Sequence, residues 1–187
     1  MTHTIRTATA DDAGALAALA AVTFPLACPP SSSPADIAAH LANTLSEEHF
    51  KGYLADPDTT ILVIDTDGQL NGYSLLVDRP ATDPDVASVL TLLPSVEISK
   101  CYVHPDYHGL GAAAELMHSS LQAAAASGSA GAWLGVNSQN ARAIRFYEKS
   151  GFHKVGTKSF RLGSTVEHDF VLERPLPCSS FGHRRRQ

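Results

Sequence analysis

Residues 96–117, Val96-Glu-Ile-Ser-Lys-Cys-Tyr-Val-His-Pro-Asp-Tyr-His-Gly-Leu-Gly-Ala-Ala-Ala-Glu-Leu-Met117, decide the fold. Val96 to Val103 reads as a strand that Pro105 stops. Gly109 to Ala126 reads as a helix rich in Ala and Leu, ended by Ser127-Gly128. Between them lies His108-Gly-Leu-Gly-Ala-Ala113. Glycines at such a turn let the backbone approach a ligand closely. The free N–H groups of the first helical turn, helped by the helix dipole, then point at an anion. By physics alone this is a site for a pyrophosphate.

Gly109-x-Gly111-x-x-Ala114 also fits the dinucleotide fingerprint formally. That reading needs an acid about 20 residues on to hold the ribose. None occurs between Leu116 and Tyr147, and too little chain remains for a doubly wound sheet. A third reading, a glycine-rich helix entry without a ligand, stays open on the turn alone.

Working outward, Thr4 to Thr7 reads as a short strand. Thr9 is a candidate N-cap, with Asp11 and Asp12 in the first turn of a helix that runs through Ala13 to Val22. Pro25, Pro29, Pro30 and Pro34, with the serines before Pro34, predict a loop over 25–34. Helices are expected at Ala35–Leu45 and around Ser46–Leu54. Thr60–Asp65 and Gly72–Val77 are strands around an Asp67-Gly68 turn. Asp78 to Pro94, mixed and proline-dotted, predicts a surface loop. Ala132–Val136 is a strand, Asn140–Ser150 a helix ended by Gly151, and Lys154–Leu162 with Val166–Leu172 a final strand pair. The order β-α-α-β-β-β-α-β-α-β-β predicts one α/β domain over residues 1–176 with a mixed sheet. Residues 177–187, which carry Arg184, Arg185 and Arg186, read as a disordered basic tail.

Composition narrows the class. The 187 residues are 44% hydrophobic and 18% charged, with net charge -5, ordinary for one globular domain and opposite to the basic stripe of a nucleic-acid binder. No apolar run reaches the roughly 18 residues of a membrane span, and no signal peptide is visible, so no membrane partner is expected. Cys28, Cys101 and Cys178 are few and widely spaced, which fits reduced thiols and a cytoplasmic protein. The nine histidines are scattered. His104 and His108 are four apart, but Pro105 and Gly109 put them in a loop, so no metal is expected.

The 96–117 stretch resembles the acetyl-CoA motif of the GNAT superfamily of N-acetyltransferases. The family pattern at the turn, Gln/Arg-x-x-Gly-x-Gly/Ala, falls on His108, Gly111 and Ala113. About 30 residues on, Asn137-Ser-Gln-Asn-Ala-Arg-Ala-Ile-Arg-Phe-Tyr-Glu-Lys-Ser-Gly-Phe152 resembles the second motif, Asn-x-x-Ala-x-x-x-Tyr-x-x-x-Gly-Phe, at Asn140, Tyr147, Gly151 and Phe152. Trp133–Val136, Thr157–Phe160 and His168–Val171 look like the bacterial spermidine/spermine branch. The resemblance implies a GNAT-like mixed, mostly antiparallel sheet with splayed central strands, flanked by helices.

It also implies roles. The pantetheine arm of acetyl-CoA would meet the backbone of Cys101, Tyr102 and Val103, and the Val103 N–H would donate to the thioester carbonyl. The pyrophosphate would bind N–H groups of Gly109, Leu110, Gly111, Ala112, Ala113 and Ala114. His108 stands where the family has Gln or Arg, and Leu110 where Lys or Arg is common, so the grip would rest on main chain. Asn140 would bond the pantetheine or cap its helix; both readings stay open. Tyr147 would protonate the departing thiolate, or serve as a core aromatic beside Ile144. An alkylamine near pKa 10.4 must shed a proton before it attacks, a cost of about 4–5 kcal/mol at pH 7. Glu97 matches the general-base glutamate of some members; the alternative is an ion pair with Lys100. A covalent Cys101 intermediate would need an adjacent base. Asp11, Asp12, Glu47 and Glu48 are surface acids that could attract a polyamine. The expected reaction is acetyl transfer to a small primary amine, polyamines foremost. An aminoglycoside, an amino acid or a protein amine are the other acceptors, and a non-catalytic acyl-CoA-binding module is the rival class. Homodimers are common in the superfamily.

Overall fold

The computed structural model describes residues 3–163 and 165–177. Cys178 and the arginine-bearing tail lie outside the described residues. The elements run β1 (Thr4–Thr7), α1 (Ala13–Ala27), α2 (Pro34–Thr44), α3 (Glu47–Ala55), β2 (Thr59–Thr66), β3 (Gln69–Val77), α4 (Pro84–Ala87), β4 (Ser95–Val103), α5 (Ala112–Ala126), β5 (Gly131–Asn137), α6 (Ala141–Lys149), β6 (His153–Leu162) and β7 (Thr165–Pro175). The seven strands form one sheet in the order β1-β2-β3-β4-β5-β7-β6. Every pairing is antiparallel except β4 with β5. This is the mixed, mostly antiparallel sheet with flanking helices that the resemblance implied.

Alternation along the strands assigns the faces. Ile61, Val63, Tyr73 and Leu75 pack under Leu16, Ala20 and Phe24 of α1 and Phe50 of α3. Leu62 and Ile64 point the other way, toward Leu116 of α5, and Leu76 and Ile98 meet Met117 and Leu121 of the same helix. The Asp67-Gly68 turn has φ of 52° and 86°, the twist that a two-residue hairpin needs. Its backbone is tied down where Gly68 N–H donates to Asp65 Oδ1 at 2.7 Å.

Three expectations are corrected. Pro25 does not end the first helix, which runs on to Ala27. A proline in the last turn removes a single ladder bond, and the buried Phe24 rewards keeping the turn intact. Together with the 3-10 turn before it, this segment, Ala10–Ala27, is 18 residues long and apolar enough by composition to cross a membrane. The fold uses it as a core helix instead, with Ala13, Leu16, Leu19, Ala20 and Phe24 buried against the sheet. The 78–94 stretch is not all surface loop. It holds α4, and Val86 and Leu90 pack on Trp133 and Val171.

Candidate active site

β4 and β5 pair only through Ser95–Gly131, Val96–Ala132 and Glu97–Trp133. Beyond Glu97 the strands part, and a cavity of about 490 Å³ opens between them. β4 stays bonded to β3 on its other side, with His104 N–H donating to Asn71 O at 2.8 Å. By the alternation of an antiparallel ladder, the polar backbone groups of Tyr102 then face β3, while those of Cys101 and Val103 face the gap. The structure therefore leaves the backbone of Cys101 and the N–H of Val103 as unpaired strand edge and withdraws the Tyr102 backbone from it. The Tyr102 side chain still lines the cavity.

The turn after β4 carries φ of 80° at Gly109 and 84° at Gly111, left-handed values that glycine adopts without strain. α5 begins at Ala112, later than the sequence suggested. Among the described residues, no protein acceptor takes the N–H of Gly109, Leu110, Gly111, Ala112 or Ala113. The N–H of Ala114 does have one, Gly111 O at 2.9 Å, so the cradle is a residue shorter than expected. His108 Nε2 sits 2.9 Å from Val103 O. A carbonyl only accepts, so that nitrogen carries the proton, and the ring ties the turn back to the end of β4. Leu110 is 70% exposed, and as an apolar side chain it brings no charge to the turn.

α6 brings the second motif to the same gap. Asn140 caps the helix, its Oδ1 accepting from Ala143 N–H at 3.0 Å, and its amide nitrogen remains available to the cavity it lines. Tyr147 lies edge-on to Phe146 and Phe152, with centroids 5.4 and 6.2 Å away. No hydrogen bond among the described residues holds its hydroxyl. Burial, with Cys101 and Tyr102 beside it, drives the Tyr147 phenol well above its ordinary value. Burial likewise pushes the Cys101 thiol up to about 12, which leaves it protonated and unsuited to nucleophilic attack. Arg142, on the first turn of α6, adds a cation to the cavity rim.

Glu97 stands at the last rung before the strands part. Burial raises its carboxyl above the ordinary value, against Lys158, Lys100, a Ser99 hydrogen bond and Arg79, which pull it down. Around it are residues that the sequence reading passed over. Asp169 on β7 is only 8% exposed, and its Oδ1 is buried without a hydrogen-bond partner. Burial raises the Asp169 carboxyl while Lys158 opposes the shift. Lys158 reaches in from β6 over Gly135 and the Trp133 ring. His40 stacks on Phe24 at 4.5 Å and meets Phe160 edge-on at 5.8 Å, forming the wall opposite β4. Glu167 and Asp169, two apart with Val171 next, signal one face of a strand, but only the sheet order aims that face at β4. Of the surface acids singled out earlier, two are engaged elsewhere: Asp12 in the Arg6 fork at 2.8 Å and Glu47 with Lys51 at 2.9 Å.

Comparison with known proteins gives the family and supports the fold. The model of the acetyltransferase (GNAT) family matches residues 26–152. The chain is 47% identical over 165 residues to an uncharacterized N-acetyltransferase of Mycobacterium tuberculosis, covering 88% of this chain and 98% of the relative. The PaiA N-acetyltransferase of Thermoplasma acidophilum, solved with coenzyme A, shares the fold at TM-score 0.74 and 20% identity, over 94% of this chain and 99% of that one. The ribosomal-protein-S18-alanine N-acetyltransferase of Escherichia coli does so at TM-score 0.69 and 18% identity, covering 100% of both chains. The chain belongs to the acetyltransferase (GNAT) family and is an N-acetyltransferase.

Proposed function

We propose that this chain moves an acetyl group from acetyl-CoA to a small primary amine by direct attack, within one domain over residues 1–176. The observation that carries the reading is the parting of β4 and β5 at Glu97. It puts an open backbone edge, the two ends, His108 and Ala113, of the turn that holds the unpaired N–H groups, and a half-buried carboxylate around one cavity. Acetyl-CoA fits these residues: an anion suits the N–H groups of Gly109 to Ala113, and an extended arm suits the edge at Cys101 and Val103. Arg142 supplies the positive charge that His108 and Leu110 do not. The Val103 N–H donates to the thioester carbonyl as charge builds on it. Asn140 bonds the arm through its amide nitrogen.

Glu97 takes the proton from the incoming ammonium, directly or through water. A raised carboxyl pKa narrows the gap to the amine and makes it a better base than an ordinary glutamate. Tyr147 returns a proton to the departing thiolate. Its raised pKa alone would oppose that step, but the same dry surroundings raise the thiol as well, so the pair stays matched.

For a polyamine acceptor, the support is the set of carboxylates at the cavity, Glu97, Glu167 and Asp169. Lys100 and Lys158, facing the same space, count against it. A cytoplasmic location goes with the few, reduced cysteines. The rival, a non-catalytic acyl-CoA-binding module, leaves Glu97 and Tyr147 without a task. A thiol-release assay with acetyl-CoA across polyamines, aminoglycosides, amino acids and peptides tests the reading. Amine-dependent release is expected; tight CoA binding with no release across the panel would favour the binding module.

A further inference from the structure

Lys158 extends from β6 across β7 and over Gly135 of β5 into the cavity. A methyl group built on Gly135 would lie 2.6 Å from its Cε, 3.1 Å from its Nζ and 3.5 Å from Asp169 Oδ2. The lysine thus occupies the room that a side chain at 135 would take, and the missing Cβ is what lets it reach the cavity. Its ammonium is 5.7 Å from the centre of the Trp133 ring. On β4, Lys100 among the described residues bonds the Ser99 hydroxyl alone, at 3.3 Å, and lies 5.3 Å from the centre of the Tyr53 ring. Among the described residues, no carboxylate comes within 4.0 Å of either lysine. Asp169, meanwhile, keeps a buried oxygen with no donor.

Asp169 is buried and Glu97, Lys100 and Lys158 are half-buried; the two signs attract one another without closing an ion pair, and a site that holds them apart in this way is complementary to a molecule that carries both. We infer that the acceptor bears an acid group close to its amine, as an amino acid does, with Lys158 and behind it Lys100 receiving the acid group while Asp169 and Glu97 receive the amine. This rests on the acetyl-transfer reading above and names its substrate class. A polyamine would satisfy Asp169 with one ammonium and set the next against the lysines. A simple monoamine would leave both lysines unmatched. The aromatic wall of Phe24, His40 and Phe160 limits the acceptor to a compact molecule. His40 fits this arrangement as a neutral ring, since burial and then Lys100 hold its pKa below the ordinary value. Glu167 lines the same wall and adds to the pull on the amine.

Matched acceptors that differ only in the carboxylate test the inference with the full chain: ornithine against putrescine, lysine against cadaverine, alanine against ethylamine. In at least one pair the acid-bearing member should show a kcat/KM at least about tenfold higher, the scale of one charge-assisted contact. Lys158→Met should abolish that preference, mainly through KM for the acid-bearing member, and Lys158→Arg should restore part of it. Binding of acetyl-CoA, followed by calorimetry, controls for folding. Faster turnover of the decarboxylated members, or an equal loss on both members in Lys158→Met, would overturn the inference while leaving acetyl transfer standing. So would silence of every pair when acetyl-CoA still binds. Failure of the wild-type chain to bind acetyl-CoA would instead remove the acetyl-transfer reading, and the inference with it.

Discussion

Glu97 and Trp133 face each other across the last rung that joins β4 to β5. One residue further the strands are apart, so the carboxylate sits at the apex of the wedge. A group fixed by a ladder on both sides is held more rigidly than one on a loop, which suits the base proposed for Glu97.

Replacing Glu97 with Gln keeps the shape and removes the base. We expect kcat/KM to fall by about 10²–10³ at neutral pH with the acetyl-CoA Kd unchanged. The sign of the pH effect follows from burial, which raises the Glu97 carboxyl. Glu97 acts when ionised, so wild-type activity should climb with pH through that raised value and continue to climb as the amine itself deprotonates. The Gln variant should keep only the amine limb. A Gln variant with wild-type kcat/KM at neutral pH would remove Glu97 from the chemistry.

Tyr147→Phe separates acid catalysis from packing. The ring contacts with Phe146 and Phe152 survive the change, and no hydrogen bond within the described protein is lost. Turnover should drop by roughly 10²-fold, the low end for a general acid. Acetyl-CoA affinity, read by calorimetry, should barely move. Equal losses in turnover and affinity would make Tyr147 a wall of the site rather than its acid.

Besides its proposed place beside acetyl-CoA, His108 holds the turn itself. Its ring donates to Val103 O, so it supports the turn from beneath. His108→Ala should loosen the turn and weaken CoA binding about fivefold, the worth of one ordinary hydrogen bond of about 1 kcal/mol. His108→Gln can donate to the same carbonyl and should recover most of that. If Ala and Gln weaken binding alike, the hydrogen bond is not what the turn needs.

The two segments proposed to meet acetyl-CoA were legible because they are local. Gly109 and Gly111 meet a backbone requirement that no other residue meets cheaply, and Asn140 caps the helix that carries Tyr147. Strand pairs such as β2 and β3 declared themselves through β-branched runs and the Asp67-Gly68 turn. The side proposed to receive the acceptor was not legible. Lys100, Lys158 and Asp169 come from three strands, β4, β6 and β7, and meet only because the sheet order places β7 between β5 and β6. No spacing in the chain encodes that meeting. The same holds for α4 and the stretch after it: prolines and aspartates read as solvent loop, while Val86 and Leu90 sit under Trp133.

Glu173 is the anchor of that stretch. It has no exposed surface, yet it accepts from Thr91 N–H at 2.9 Å, Leu92 N–H at 2.7 Å and the Thr91 hydroxyl at 2.8 Å. A buried carboxylate with three donors is satisfied, and the segment before β4 is fastened to β7 by it. Glu173→Ala would strand two backbone N–H groups and open a cavity, for a loss of about 2–4 kcal/mol in denaturant unfolding. Glu173→Gln keeps one oxygen for the two N–H groups, and its amide can donate to the Thr91 hydroxyl, so it should cost only about 1 kcal/mol. Because β4 starts at Ser95, next to this anchor, the Ala variant should also lose turnover through a displaced Glu97, while the Gln variant retains it. An Ala variant as stable as the wild type would mean that the 78–94 segment holds its place by the apolar contacts of Val86 and Leu90 alone.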